Sequence, residues 1–65
     1  MKIRYFQETD TLYIEFREAA VAETRDFDEN TQIDLDGDGH MCALTVEHAS
    51  RRVDLPGIDF QQVAA

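Results

Sequence analysis

Apolar and polar residues alternate along most of the chain, which is the pattern of half-buried β-strands. In the segment TLYIEFR, Leu12, Ile14 and Phe16 point to one side and the residues between them to the other. The preceding segment KIRYF alternates too, and only a short polar stretch, residues 7–10, separates the two. The first part of the chain is therefore predicted to form a β-hairpin.

The same period returns further along the chain. Residues 31–35 and 41–48 alternate on either side of a glycine-containing turn at 36–39, and residues 23–27 can form a weaker, mostly charged strand. Together these segments predict a mainly β domain of the small α+β class. We expect a curled antiparallel meander of four to five strands with a short C-terminal helix or an extended tail.

The alternation stops before the C-terminal end of the chain. Pro56 prevents one long helix there, while Asp59 is a candidate N-cap for a short final helix. The chain is accordingly predicted to be a single domain, with the β-meander in residues 1–50 and a tail in residues 51–65.

Composition narrows the classes of function. The 65 residues include 14 acids and six Lys or Arg residues, for a formal charge of −8. This charge argues against direct nucleic-acid binding, because phosphates would repel it. The negative charge favours a basic protein partner, because complementary charges speed association. The alternative interpretation is that the charge only keeps a small protein soluble.

The small size points toward association as well. A chain this short buries a small core and usually needs disulfides, a metal or a partner chain. The single cysteine, Cys42, cannot form an internal disulfide and is compatible with a reducing compartment. No apolar run is long enough to span a membrane and the N-terminal segment does not resemble an export signal, so we expect a cytoplasmic protein with no membrane partner.

The acidic turn, DLDGDG, resembles the start of an EF-hand calcium loop. Asp34, Asp36, Asp38 and Gly39 match its positions 1, 3, 5 and 6, but position 12 is Thr45, which cannot bind the ion in bidentate fashion. The flanking periods are also those of strands. A hairpin turn is the better interpretation, and a metal site in the Asp34–Gly39 turn is the weakest of three hypotheses.

Catalytic signatures are missing from the sequence. His40, His48 and Cys42 could ligate zinc in principle, and His40 and Cys42 share a strand face, yet a third ligand or an orienting group beside these two is not evident. A serine nucleophile elbow and a phosphate-binding glycine loop are also lacking. We therefore expect no catalytic residues, no metal, no cofactor and no enzymatic activity.

Several short motifs occur in an order that resembles a known family. The chain starts with Met-Lys-Ile-x-Tyr, and an Asp-x-Leu-Tyr-Ile strand follows (Asp10, Leu12, Tyr13, Ile14). Next come an Asp-x-Asp-Gly hairpin (Asp36, Asp38, Gly39) and an Ala-Ser pair (Ala49, Ser50). Over about residues 1–50 the chain resembles DUF2283, small bacterial and archaeal domains of unknown function. Where that family tends to carry Gly-Ile-Glu-Ile, this chain has Ala43, Leu44, Thr45 and Val46. The resemblance implies a small β-meander, no established catalytic residue and, as one hypothesis, an antitoxin of a bacterial toxin–antitoxin pair.

Two hypotheses lead. In the first, the protein is a non-enzymatic acidic interaction module that covers the cationic site of a small basic protein such as a ribonuclease-like toxin. In the second, it is a homo-oligomeric β module, for instance a homodimer, whose exposed strand edges pair. The two are compatible. The expected partner-binding residues are Glu23, Asp26, Asp28, Glu29, Asp34, Asp36 and Asp38.

Overall fold

A computed structural model describes residues 1–64, which form one open antiparallel sheet with a single-turn helix on one face. This confirms the mainly β fold class. The elements are β1 (Lys2–Phe6), β2 (Thr11–Glu15), β3 (Glu23–Asp28), β4 (Thr31–Leu35), β5 (Met41–Glu47) and α1 (Ala49–Arg52).

The order of strands across the sheet is β1-β2-β5-β4-β3, so the connectivity differs from a simple meander. The last strand, β5, inserts between β2 and β4. Residues 16–22 therefore cross one end of the sheet from β2 to the far edge. Backbone bonds hold this crossing at both ends, from Phe16 N–H to the Cys42 carbonyl (2.8 Å) and from Ala22 N–H to the Leu35 carbonyl (2.8 Å).

The register gives the sheet two chemically different faces. Leu12 lies opposite Val46, and Ile14 opposite Leu44. We call their side the apolar face, whose main residues are Ile3, Tyr5, Leu12, Ile14, Thr31, Ile33, Leu44 and Val46. The other side is the polar face, with Lys2, Arg4, Tyr13, Glu15, Thr24, Asp26, Gln32, Asp34, Ala43, Thr45 and Glu47.

A small core lies under α1 on the apolar face. Leu12, Val46 and Ala49 are buried together, and Ala49 has no exposed surface. Ile14, Leu44 and Leu55 are partly buried against this cluster. One layer of sheet and one helical turn thus make up the packed part of the molecule.

The C-terminal region differs from the prediction made for it. The helix is α1, Ala49–Arg52, and the expected helix capped by Asp59 is not present, because residues 53–64 have no regular secondary structure. The remainder of the predicted tail, residue 65, lies outside the described residues. Within the described chain, no helix has the length and apolar character needed to span a membrane.

Candidate functional site

The acidic turn between β4 and β5 is organised by one carboxylate. Asp36 Oδ1 accepts the N–H groups of Asp38 (2.9 Å) and His40 (3.0 Å), and the Gly39 N–H donates to the Asp36 carbonyl (3.0 Å). Gly39 has φ of 80°, a left-handed conformation that glycine adopts without steric penalty. These bonds make the motif a hairpin turn, as the strand periods indicate.

An arginine from the crossing segment neutralises this carboxylate. The guanidinium of Arg17 forms an ion pair with Oδ2 of Asp36, whose side chain is only 9% exposed. Asp36, Asp38 and His40 do place possible metal-ligand atoms within 4.8 Å of one another. However, the Asp36 carboxylate already accepts two N–H groups and pairs with a guanidinium. Asp36 is the least exposed of the three possible metal ligands, so a cation would have to displace Arg17 from it. The turn chemistry explains this cluster without a metal.

Asp10 connects the β1–β2 turn to the helix. Its carboxylate accepts the Tyr5 hydroxyl, the Ser50 N–H (3.0 Å) and the Ser50 hydroxyl (2.7 Å), and its carbonyl accepts the Ala49 N–H (2.9 Å). His48, which precedes α1, makes no capping side-chain bond, so Asp10 supplies the acceptors from a distant part of the chain. The helix depends on this long-range anchor.

The same bonds fix the charge state of Asp10. Donation by the Tyr5 hydroxyl, followed by donation from Ser50, lowers the pKa of Asp10 below its ordinary value of 3.8. Asp10 is therefore a weak base. Although Ser50 and Tyr5 line a groove of about 450 Å³ beside the helix, their hydroxyls donate to a carboxylate that has little tendency to take a proton. This arrangement suits anchoring rather than activation of a nucleophile.

Arg52 holds the other side of the helix. Its two terminal nitrogens donate to both oxygens of Asp28 (3.2 and 3.0 Å), and Nη1 also reaches the Thr31 hydroxyl (3.2 Å). The bidentate guanidinium is the main cause of a pKa for Asp28 well below its usual range, and the Asn30 N–H is the second. Arg52 thereby ties α1 to the β3–β4 turn.

The polar face carries a concentration of negative charge. Asp34 lies on β4 and Asp26 on β3, while Glu15 and Glu47 lie on β2 and β5. Across the described strands β2 to β5, this face holds no Lys or Arg, and its basic residues, Lys2 and Arg4, lie on β1 at one margin. We call Glu15, Asp26, Asp34 and Glu47 the acidic patch.

The negative charge of the acidic patch affects the pKa of Tyr13, which lies on the same face. Partial burial, and then the charges of Glu15 and Asp34, raise the pKa of its hydroxyl above 10.0. Neutral hydrogen bonds hold two of the carboxylates in place, from the Thr24 hydroxyl to Asp34 (2.8 Å) and from the Gln32 amide to Asp26 (3.5 Å). Neither bond removes negative charge, and on this face only Lys2 and Arg4 of β1 offset it.

The seven residues predicted for partner binding do not form one surface. Asp26 and Asp34 share the polar face, whereas Asp28 and Asp36 are ion-paired within the chain. Glu23 pairs with Arg25, at 2.7 Å.

The other two predicted residues, Glu29 and Asp38, are exposed in separate turns. Sequence reasoning missed Glu15 and Glu47, the other two residues of the acidic patch. Alternation puts Glu15 on the face of the sheet away from Leu12. Only the position of β5 between β2 and β4 puts Glu15 and Asp34 on either side of Ala43 in one row across the sheet.

The family follows from a comparison with known proteins. The family model described as "Protein of unknown function (DUF2283)" matches residues 2–50. The chain belongs to DUF2283. No curated protein and no solved structure matches the sequence. The DUF2283 match runs from β1 to Ser50 and so contains the Asp10 anchor, the acidic turn and the acidic patch, while Arg52 and the tail lie beyond it.

Proposed function

We propose that this DUF2283 protein is a non-enzymatic interaction module that binds a basic protein in the cytoplasm through the acidic patch. The observation that carries the proposal is the placement of Glu15, Asp26, Asp34 and Glu47 on one sheet face whose bases, Lys2 and Arg4, lie only on the edge strand β1. The helix and the core lie on the opposite face, so the described chain leaves the patch open to a partner.

Like charges on one face are unfavourable for the isolated protein. Asp26 and Asp34 lie diagonally on neighbouring strands and repel each other, and of the four patch carboxylates only Glu15 has a base, Lys2, opposite it. A basic partner removes this repulsion on binding, and the complementary field also raises the association rate. The partner class that fits is a small basic protein whose cationic site the flat face covers, and a toxin neutralised by its antitoxin is one such pair.

The proposal is tested by neutralising the patch while keeping side-chain shape. Amide residues preserve the acceptor oxygens, so the fold should survive, and circular dichroism would check it. A control variant changes the net charge by the same amount with acids that lie off the polar face. The patch variant is Glu15→Gln, Asp26→Asn, Asp34→Asn and Glu47→Gln, and the control variant is Glu8→Gln, Glu18→Gln, Asp54→Asn and Asp59→Asn.

Wild-type and control proteins, tagged and incubated with native cytosol at low salt, should retain the same small basic protein, identified by mass spectrometry. The patch variant should lose it. With the purified partner, the affinity should fall with rising salt for wild type and control, and much less for the patch variant. Equal retention by the patch variant, or equal loss by the control variant, would rule out the acidic patch as the binding surface.

A further inference from the structure

The molecule exposes more surface than a monomer of its mass normally does. Its accessible area is 5265 Å², whereas a compact 7.5 kDa protein exposes about 4,200 Å². Its radius of gyration is 12.9 Å, against about 10.7 Å for a compact domain of this length. The difference of about 1,000 Å² is close to the roughly 800 Å² that each partner buries in a stable protein–protein interface.

Much of the exposed apolar surface lies on the apolar face and in the tail. A groove of about 320 Å³ beside α1 is lined by Phe27, Ile33, Leu44 and Val53 among others, and Phe27 is 71% exposed. The tail passes on the other side of the helix, where Leu55, Pro56 and Ile58 lie near β1 and β2. Further along it, Phe60 is 80% exposed and Val63 76% exposed.

We propose that two copies of this chain associate apolar face to apolar face, with the exposed Phe60 and Val63 in the tail of each copy seated in the Phe27 groove of the other. In each chain, residues 55–58 of the tail lie against the β1–β2 side of the apolar face, and the Phe27 groove lies on the β3–β4 side. A two-fold axis parallel to the strands exchanges these sides, so each tail faces the partner's groove. Such an isologous contact is self-complementary, as closed dimers require.

The distribution of charged residues favours a second copy of this chain as the partner of the apolar face. The acidic patch is on the opposite face, so it points away from the interface. The charged side chains nearest the apolar groove occur as internal pairs, Arg52 with Asp28 and Arg25 with Glu23. Apart from Asp54 and Asp59 in the tail, the two identical faces therefore carry mainly paired charges, so they meet with less repulsion than a total of −8 per chain would otherwise cause.

This inference is independent of the proposed function, and sedimentation velocity tests it directly. From low to high micromolar concentration, the wild-type protein should shift from 7.5 kDa to twice that mass. Phe27→Glu places a carboxylate in the groove of each copy and should raise the dimer dissociation constant at least about a hundredfold, because two unpaired charges become buried. Phe60→Glu should act in the same direction from the tail.

Phe6→Glu is the matched control, because Phe6 is also an exposed aromatic residue on an edge strand but lies on the polar face, 49% exposed. It should leave the dimer intact. A wild-type protein that stays monomeric at every concentration would overturn the inference. In that case the Phe27 groove would be covered by the tail of the same chain or by another protein. An equal loss of dimer in Phe6→Glu and Phe27→Glu would also overturn the inference.

Discussion

Asp10 joins the start of β2 to the helix through hydrogen bonds. It opens the Asp-x-Leu-Tyr-Ile segment, and its carboxylate binds both donors of Ser50, which belongs to the Ala-Ser pair 40 positions later. Its φ of 53° is unusual for a residue other than glycine, but Asp tolerates this conformation. Asp10 and Ser50 therefore form a structural anchor between two parts of the chain that are far apart in sequence.

Replacing Asp10 should change how stability depends on pH. The native pKa of Asp10 is below 3.8, so as the pH falls the unfolded chain takes up the proton first. The stabilisation is complete above the unfolded value and disappears as the pH falls through the native one. Asp10→Asn, which also tolerates positive φ, should lower stability at neutral pH and flatten the acid side of the curve. Asp10→Ala should be less stable than Asp10→Asn.

Urea unfolding at pH values from neutral to strongly acidic measures this effect. Glu8→Gln is the control, because Glu8 lies in the same turn and its exposed side chain has none of the contacts that Asp10 makes with Tyr5 and Ser50. Some acid sensitivity should remain in Asp10→Asn, since the pKa of Asp28 is lowered as well. Identical pH curves for wild type and Asp10→Asn would show that the anchor contributes nothing through its charge.

At the scale of elements, alternation predicted the strands well and the helix poorly. The runs around Leu12, Ile33 and Leu44 became β2, β4 and β5, and the weak charged segment became the edge strand β3. These successes reflect local side-chain periods. The helix has four residues and no cap of its own, and it exists through Asp10 and Arg52, contacts that span 40 and 24 positions. No local pattern contains that information.

The acidic patch was only partly predictable for the same reason. Asp26 and Asp34 were chosen for their charge, but the neighbours of a residue on a sheet depend on strand order and register. The insertion of β5 between β2 and β4 brings Glu15 close to Asp34, and a chain-order meander would not. Arg17 is likewise recognisable as the partner of Asp36 only once the crossing segment is in place.

Arg52→Lys tests the second attachment of the helix. Lysine keeps the positive charge but cannot form the bidentate contact with Asp28, so α1 should open more often. Hydrogen exchange at the Val53 amide, which donates to the Ala49 carbonyl, should become faster, while exchange in β2 and β5 stays slow. Arg51→Lys is the control, because Arg51 makes no ion pair within the described residues. Unchanged exchange at Val53 would leave Asp10 as the sole attachment.

At the scale of the whole molecule, the one-layer sheet gives each face a separate role. The apolar face cannot be covered by four helical residues, and the polar face carries charge that the fold does not use. If the two proposals hold together, a dimer presents two acidic patches on its opposite outer surfaces. Two basic partners could then bind one dimer without contacting each other. A monomeric Phe27→Glu variant would keep its single patch.

The acidic patch should lower the stability of the free protein, because a surface kept for binding is not optimised for folding. Neutralising Glu15, Asp26, Asp34 and Glu47 with the patch variant described above should raise the free energy of unfolding by about 0.5 kcal/mol. The gain is small because Asp26 and Asp34 lie diagonally rather than directly opposite each other, and because Glu15 loses the charge that lies opposite Lys2.

Added salt should stabilise the wild type more than this variant by screening the repulsion. Urea unfolding at low and high salt, under conditions in which both proteins are monomeric, measures both effects. The control variant with four acids neutralised off the polar face should gain less, because its acids lie in turns and in the tail rather than on adjoining strands. A patch variant less stable than wild type would mean that these carboxylates support the fold, and would remove the physical reason for assigning them to a partner.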